Sequence, residues 1–124
     1  PGPAVGPIPR RMVTHDLPVA VAVLAAAGVV PASALADVMF LADLSQEGEL
    51  LPVEGVLAAA LAAAAAGVST LVVAPENIAE TELVSGVHAI TARTLQALVG
   101  WLRGGGPGGD PPRLSPSGPS LTAL

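Results

Sequence analysis

The first long apolar stretch of the chain covers residues 17–27, and we predict a helix there. Asp16 is a preferred N-cap residue, and Pro18 is tolerated in the first turn because its missing amide donor is not needed there. Gly28 suits the left-handed backbone that commonly follows a helix. The stretch contains no polar side chain, so this helix is predicted to be mostly buried.

Two further helices follow from composition and spacing. Residues 56–66 consist of alanine, leucine and valine, a composition that strongly favours helix, and Gly67 is predicted to end them. Residues 92–103 are predicted to form the last helix. Their large apolar residues recur at the i, i+3, i+4, i+7 spacing of one buried face: Leu95, Leu98, Val99 and Leu102.

The segment between the first two helices reads as a β-hairpin. Residues 38–45 are apolar apart from Asp43 and the final serine, which favours one strand. Residues 46–48 (Gln-Glu-Gly) provide the turn, and residues 49–53 are predicted to return antiparallel to the first strand. Pro52 must then lie at a sheet edge or near the end of its strand, because proline cannot donate a hydrogen bond.

Two short strands follow the alanine-rich helix. Residues 69–73 (Ser-Thr-Leu-Val-Val) are rich in β-branched residues, as in a buried parallel strand, and residues 87–90 form the second strand. Between them, Asn77 followed by Glu80 resembles a capping box that opens a short helix ending at Val84. Helices that alternate with short strands indicate an α/β (α+β) fold with a small mixed sheet.

Glycine and proline are concentrated near the two ends of the chain. We therefore divide it into an irregular amino-terminal segment, residues 1–15, an ordered partial domain, residues 16–103, and a flexible Gly/Pro-rich linker, residues 104–124. A linker implies a second module, so we expect the chain to be part of a longer protein.

The composition excludes several chemistries. The 124 residues contain no cysteine and no lysine, which excludes thiol nucleophiles, cysteine-based metal sites, Schiff bases and lysine general bases. Five arginines oppose ten acids, and the net charge is −5, so the chain alone is a poor candidate for contacting a nucleic-acid backbone.

No catalytic, cofactor-binding or metal-binding residue is predicted. His15 and His88 are far apart in sequence, and neither has a second metal ligand at helical spacing. Trp101 is read as a packing or interface residue. The acids around the predicted hairpin do not match a calcium-loop spacing and are read as solvated turn residues: Asp37, Asp43, Glu47, Glu49 and Glu54.

An exported alanine-rich protein is an alternative interpretation. Arg10 and Arg11 precede an uncharged stretch, residues 17–36, and Asp37 follows it, which imitates a leader peptide with its cleavage site. Asp16 separates the arginines from this stretch, and the prolines and the glycine within residues 17–36 interrupt the stretch. We therefore favour a soluble protein without a membrane segment.

Two segments together resemble a known family. Residues 16–28 (DLPVAVAVLAAAG) and 40–80, with the hairpin, P-V-x-G, the alanine-rich helix and V-V-A-P-E-N, are similar to the amino-terminal domain of Mg-chelatase-like AAA ATPases of the ComM/YifB type. The resemblance extends more weakly to residue 104. It implies the fold of the proteolytic domain of Lon, which is shared with the second domain of a small-subunit ribosomal protein.

The same resemblance implies that this domain is not a peptidase. The Lon nucleophile would fall near Asp16 and the Lon lysine at about Leu57, and neither side chain can perform those roles. A residual Lon-like serine peptidase with another nucleophile is the alternative.

The chain departs from the family pattern at both ends. The family has several strands before the first helix, which residues 1–15 do not resemble, so we expect an unpaired sheet edge and marginal stability as a monomer. The family's ATPase module, which would bind ATP and Mg, is also absent from the sequence. The resemblance implies a non-catalytic accessory domain in a cytoplasmic ring ATPase. Its partners would be its own ATPase module and neighbouring subunits, with DNA recombination and branch migration carried out by the full-length protein.

Overall fold

The computed structural model describes residues 14–108 and 111–112. Three short 3-10 helices cover Ala32–Leu35, Pro75–Asn77 and Gly106–Gly108. The other elements, in chain order, are α1 (Leu17–Ala26), β1 (Val38–Leu41), β2 (Asp43–Leu44), β3 (Leu50–Leu51), α2 (Val56–Ala65), β4 (Thr70–Val73), α3 (Ile78–Thr81), β5 (His88–Thr91) and α4 (Leu95–Arg103).

The centre of the fold is a three-stranded parallel sheet in the order β1-β4-β5. Val38 pairs with Thr70, which in turn pairs with His88, so the three strands start at the same level. All four residues of β4 are buried, as expected for a central strand covered on both faces. The predicted α/β (α+β) class is confirmed, but the predicted single mixed sheet is wrong, because β2 and β3 form a separate antiparallel pair.

Helices cover both faces of the sheet, because alternate residues of a strand point to opposite sides. On one face Val72 and Ile90 pack with residues of α1 and α4, among them Leu24 and Leu98. Trp101 belongs to this cluster and is 5% exposed, which confirms its reading as a packing residue. On the other face Leu71 and Val73 pack against the buried face of α2, where the side chains include the small residues Ala60 and Ala63.

The prediction of one strand over residues 38–45 is wrong. The strand divides at Ala42: β1 joins the parallel sheet, whereas β2 leaves it and pairs antiparallel with β3. The return strand is also shorter than the predicted residues 49–53 and covers only Leu50–Leu51. It ends there because Pro52 has no amide hydrogen to donate and the backbone of Val53 is bonded to a side chain.

The helix boundaries agree closely with the local sequence signals. Asp16 caps α1 by accepting a hydrogen bond from the Val19 amide at 3.1 Å. Gly28 and Gly67 have φ angles of 81° and 82°, so both adopt the left-handed conformation predicted for residues that follow a helix. In contrast, α4 begins three residues after the predicted Ala92, because Thr94 is its N-cap and accepts a bond from the Ala97 amide.

The predicted capping box is wrong. The helix after β4 is the single turn α3, which ends at Thr81 instead of Val84. The Asn77 side chain makes no cap hydrogen bond; instead its amide nitrogen donates to the Glu80 carboxylate at 2.7 Å. The remaining bonds of this amide are made to a distant residue, described below.

Two further sequence predictions concern the two terminal segments of the chain and the absence of a membrane-spanning segment. Residues 1–13 and most of residues 104–124 lie outside the described residues; of the latter, Gly106 packs against Ala34. Across the described part of the chain, every helix lacks the length or the apolar character needed to cross a membrane.

Candidate functional site

The hairpin of β2 and β3 lies at the carboxyl ends of the parallel strands, because β2 begins two residues after β1 ends. In open α/β sheets this edge is the usual position of a ligand site. Hydrogen bonds to three neighbouring segments hold the hairpin in this position.

Backbone hydrogen bonds attach the hairpin on two sides. On one side the Leu44 amide donates to the His15 carbonyl at 2.8 Å, and His15 Nδ1 donates to the Leu44 carbonyl at 2.9 Å. On the other side the Leu50 amide donates to the Arg93 carbonyl at 2.9 Å, and the Leu95 amide donates to the Gly48 carbonyl at 2.7 Å. The hairpin therefore joins the start of α1 to the start of α4.

The Asn77 side chain, which the sequence predicted to be part of a capping box, makes the third attachment of the hairpin. The Asn77 carboxamide pairs with the backbone of Val53: Oδ1 accepts from the Val53 amide at 3.0 Å, and Nδ2 donates to its carbonyl at 3.2 Å. Asn77 is 5% exposed. Because the two residues are 24 positions apart, no local sequence pattern could have identified this bond.

The structure does not bring the two histidines together. His15 contacts Leu44 at the carboxyl end of the sheet, whereas His88 is the first residue of β5 and lies at the opposite end. Among residues 14–108 and 111–112, the structure holds no group of three or more His, Asp or Glu side chains arranged to bind a metal ion. The absence of a catalytic or cofactor-binding residue stays a prediction.

The resemblance places the Lon nucleophile near Asp16 and the Lon lysine at about Leu57. The Asp16 carboxylate caps α1. Leu57, the second residue of α2, is 37% exposed and carries no titratable group. A peptidase mechanism would therefore require a different set of residues.

The outer faces of α1 and α2, which lie on opposite sides of the sheet, expose apolar side chains. Neither helix contains a charged residue. Val19 and Val23 of α1 are 48% and 58% exposed, and Leu61 of α2 is 54% exposed. Val19 and Val23 are four residues apart and so share one helix face, as do Leu57 and Leu61. Each helix therefore presents a short, uncharged apolar face to solvent.

The charge of the described body is strongly negative. It includes every acidic residue of the chain except Asp110, whereas its only arginines are Arg93 and Arg103. This distribution does not favour binding to a nucleic-acid backbone.

The sequence is similar to those of known proteins. The family described as "Subunit ChlI of Mg-chelatase" matches residues 6–77, more than half of the chain. The chain belongs to the Mg-chelatase subunit ChlI family. The ComM/YifB-type resemblance in the sequence is thereby confirmed, since relatives with those names also match this ChlI-family chain.

Three relatives illustrate the extent of the similarity. Over 97 residues, which are 78% of this chain, the identity is 39% to an uncharacterized protein of Mycobacterium tuberculosis, 37% to the competence protein ComM of Haemophilus influenzae and 32% to the uncharacterized protein YifB of Escherichia coli. In each case the matched part is 19% of the relative, so this ChlI-family chain spans about a fifth of the length of the curated relatives it matches.

Proposed function

We propose that this ChlI-family chain is a non-catalytic accessory domain of a larger ATPase and acts through protein contacts within a ring assembly. The observation that carries this proposal is the uncharged, exposed outer face of α1, which includes Val19 and Val23, together with the separate outer face of α2, which includes Leu61. The absence of lysine and cysteine from the chain supports a role that is not catalytic.

The remaining activities belong, in this proposal, to the rest of a longer protein. ATP and Mg would be bound by an ATPase module outside these 124 residues, and the whole protein would act in the cytoplasm. The name of the Haemophilus influenzae relative, a competence protein, supports a role in competence. In this proposal, that role is DNA recombination and branch migration during transformation by the whole protein. The acidic body implies that any DNA contact is made by other parts of the protein.

A chimera tests this proposal. The matched 97 residues of the Mycobacterium tuberculosis relative are replaced by this chain, and ATP hydrolysis and oligomer size are measured. We expect the chimera to hydrolyse ATP and to assemble, and the isolated chain to hydrolyse none. Val19→Glu with Val23→Glu should reduce assembly, because two charges are placed on the apolar face of α1.

The matched control is Gln46→Glu with Gln96→Glu, which adds the same charge at exposed polar positions. Equal assembly of the two double variants would contradict a contact through α1, and ATP hydrolysis by the isolated chain would contradict a non-catalytic role.

A further inference from the structure

We propose that residues 104–108 form a strap, which carries the chain from the end of α4 to the 3-10 helix Ala32–Leu35 and holds it there. The strap is a conformational device with two states. While it is docked, residues 109–124 are tethered beside this 3-10 helix. When it is released, they are tethered to the end of α4 by a longer segment. The inference goes beyond the proposed function, because it uses no residue of the outer faces of α1 and α2.

The strap begins with hydrogen bonds to the last turn of α4. The Gly104 amide donates to the Gly100 carbonyl at 3.0 Å, and the Gly105 amide donates to the Leu102 carbonyl at 3.1 Å. These bonds satisfy carbonyl groups that the end of a helix would otherwise leave without a partner. Gly105 has a φ angle of 113°, in the left-handed region that favours glycine, so the helical path ends there.

The contact that holds the strap in place joins Gly106 to Ala34. Gly106 is buried and has a φ angle of 66°. A Cβ atom at this position would lie 3.0 Å from the Ala34 carbonyl oxygen and 3.4 Å from the Ala34 Cβ. Ala34 is itself buried, in the core cluster that also contains Trp101. Both the backbone conformation and the close approach therefore require glycine at position 106.

The small number of these contacts makes the strap releasable. Glycine loses more conformational freedom on ordering than any other residue, so a glycine-rich segment stays ordered only where contacts compensate. Segments with few buried contacts open at a free energy well below that of global unfolding. Release would free the five residues 104–108, which span about 17 Å when extended. The tether to residues 109–124 therefore has two lengths.

The first test measures 15N relaxation in the full chain. We expect order parameters of about 0.85 at the Gly105 and Gly106 amides, as in rigid backbone, and below about 0.6 at both positions in Gly106→Ala. Equal order parameters in α4 would show that the variant remains folded. Gly106→Asn should also release the strap, because asparagine tolerates the left-handed conformation but carries the same Cβ atom.

The second test uses trypsin, which cuts only after arginine in this lysine-free chain. Arg103 is exposed and directly precedes the strap. Cleavage at the Arg103–Gly104 bond needs local opening, so its rate follows the population of the released strap. Gly106→Ala should accelerate this cleavage about tenfold, the effect expected for a Cβ atom in the left-handed region. Mass spectrometry distinguishes this cut from one after Arg93.

Gly67→Ala is the matched control. Gly67 has a φ angle of 82° and follows α2, on the other side of the sheet from α4. Among the described residues, nothing but its chain neighbours lies within 4 Å of the position that its Cβ would take. The substitution therefore strains the backbone to a similar extent away from the strap. The order parameters of residues 104–108 and the cleavage rate after Arg103 should stay unchanged.

Four results would overturn the inference. They are order parameters below about 0.6 at Gly105 and Gly106 in the unsubstituted chain, an unchanged cleavage rate after Arg103 in Gly106→Ala, equal acceleration by Gly67→Ala, and a docked strap in Gly106→Asn. None of them contradicts the proposed function, which the chimera tests through α1.

Discussion

The Asn77 side chain offers a direct test of how the hairpin is held. Replacing it with alanine removes the two hydrogen bonds to the Val53 backbone, at 3.0 and 3.2 Å. It also removes the 2.7 Å bond to the Glu80 carboxylate, which water can replace because Glu80 is only half-buried. Val53 is half-buried, so water replaces the bonds to its backbone only in part. At about 1 kcal/mol for each bond, Asn77→Ala should lower the free energy of unfolding by about 2 kcal/mol. For a domain of this size, the melting temperature should fall by about 8–16 °C.

Trp101 is a convenient reporter for this measurement. It is the only tryptophan of the chain and lies in the core at 5% exposure, so its fluorescence changes when the domain unfolds. Urea titrations of the two proteins give the free-energy difference from the shifted midpoint if the slope is unchanged. A loss below about 0.5 kcal/mol would refute the reasoning, because it would mean that water satisfies Val53 equally well.

A second variant separates hydrogen bonding from charge. Asn77→Asp keeps an acceptor for the Val53 amide. The substitution replaces the Asn77 amide nitrogen, which donates to Glu80 Oε1 at 2.7 Å, with a carboxylate oxygen. Two adjacent carboxylates repel each other, which favours protonation of one of them in the folded state. The folded protein then binds more protons than the unfolded chain, so this variant should regain stability as the pH falls. Glu80→Gln in the same background should restore stability at neutral pH.

Three further changes test separate features by thermal unfolding. Thr91→Val should stabilise the protein by about 1 kcal/mol, because the buried Thr91 hydroxyl has no hydrogen-bond partner among the described residues; a loss of stability would indicate an unseen partner. Gly67→Ala should destabilise by about 1 kcal/mol because its φ is 82°, whereas Gly100→Ala in α4 should stabilise by about the same amount; similar effects at both sites would contradict the backbone explanation. Asp16→Ala should destabilise by about 1 kcal/mol through loss of the α1 cap, and Asp16→Asn should not.

The sequence predicts the helices well because their ends depend on neighbouring residues. The capping carboxylate of Asp16 and the left-handed conformation of Gly28 are local features, and they place α1 to within one residue of its end. The same reasoning succeeds at Gly67 after α2. It fails at α4, because residues 92 and 93 continue from β5 and the competing cap at Thr94 decides where the helix starts.

The strand division at Ala42 could not be predicted from the local pattern. Residues 38–45 read as one apolar strand, yet β1 pairs with β4 while β2 pairs with β3 and with Asp16. The choice is made by partners that are distant in sequence. The same is true of Asn77, whose spacing to Glu80 imitates a capping box although its carboxamide is bonded to Val53.

The position of the hairpin explains why contact surfaces are the main candidates for function. It lies at the carboxyl ends of the parallel strands and is bonded there to His15 and to Arg93. That edge is where an open α/β sheet would usually bind a ligand. The exposed apolar faces of α1 and α2 remain available for contacts among the described surfaces. Such faces can bind another protein without any catalytic group, which is why the proposed accessory role is assigned to them.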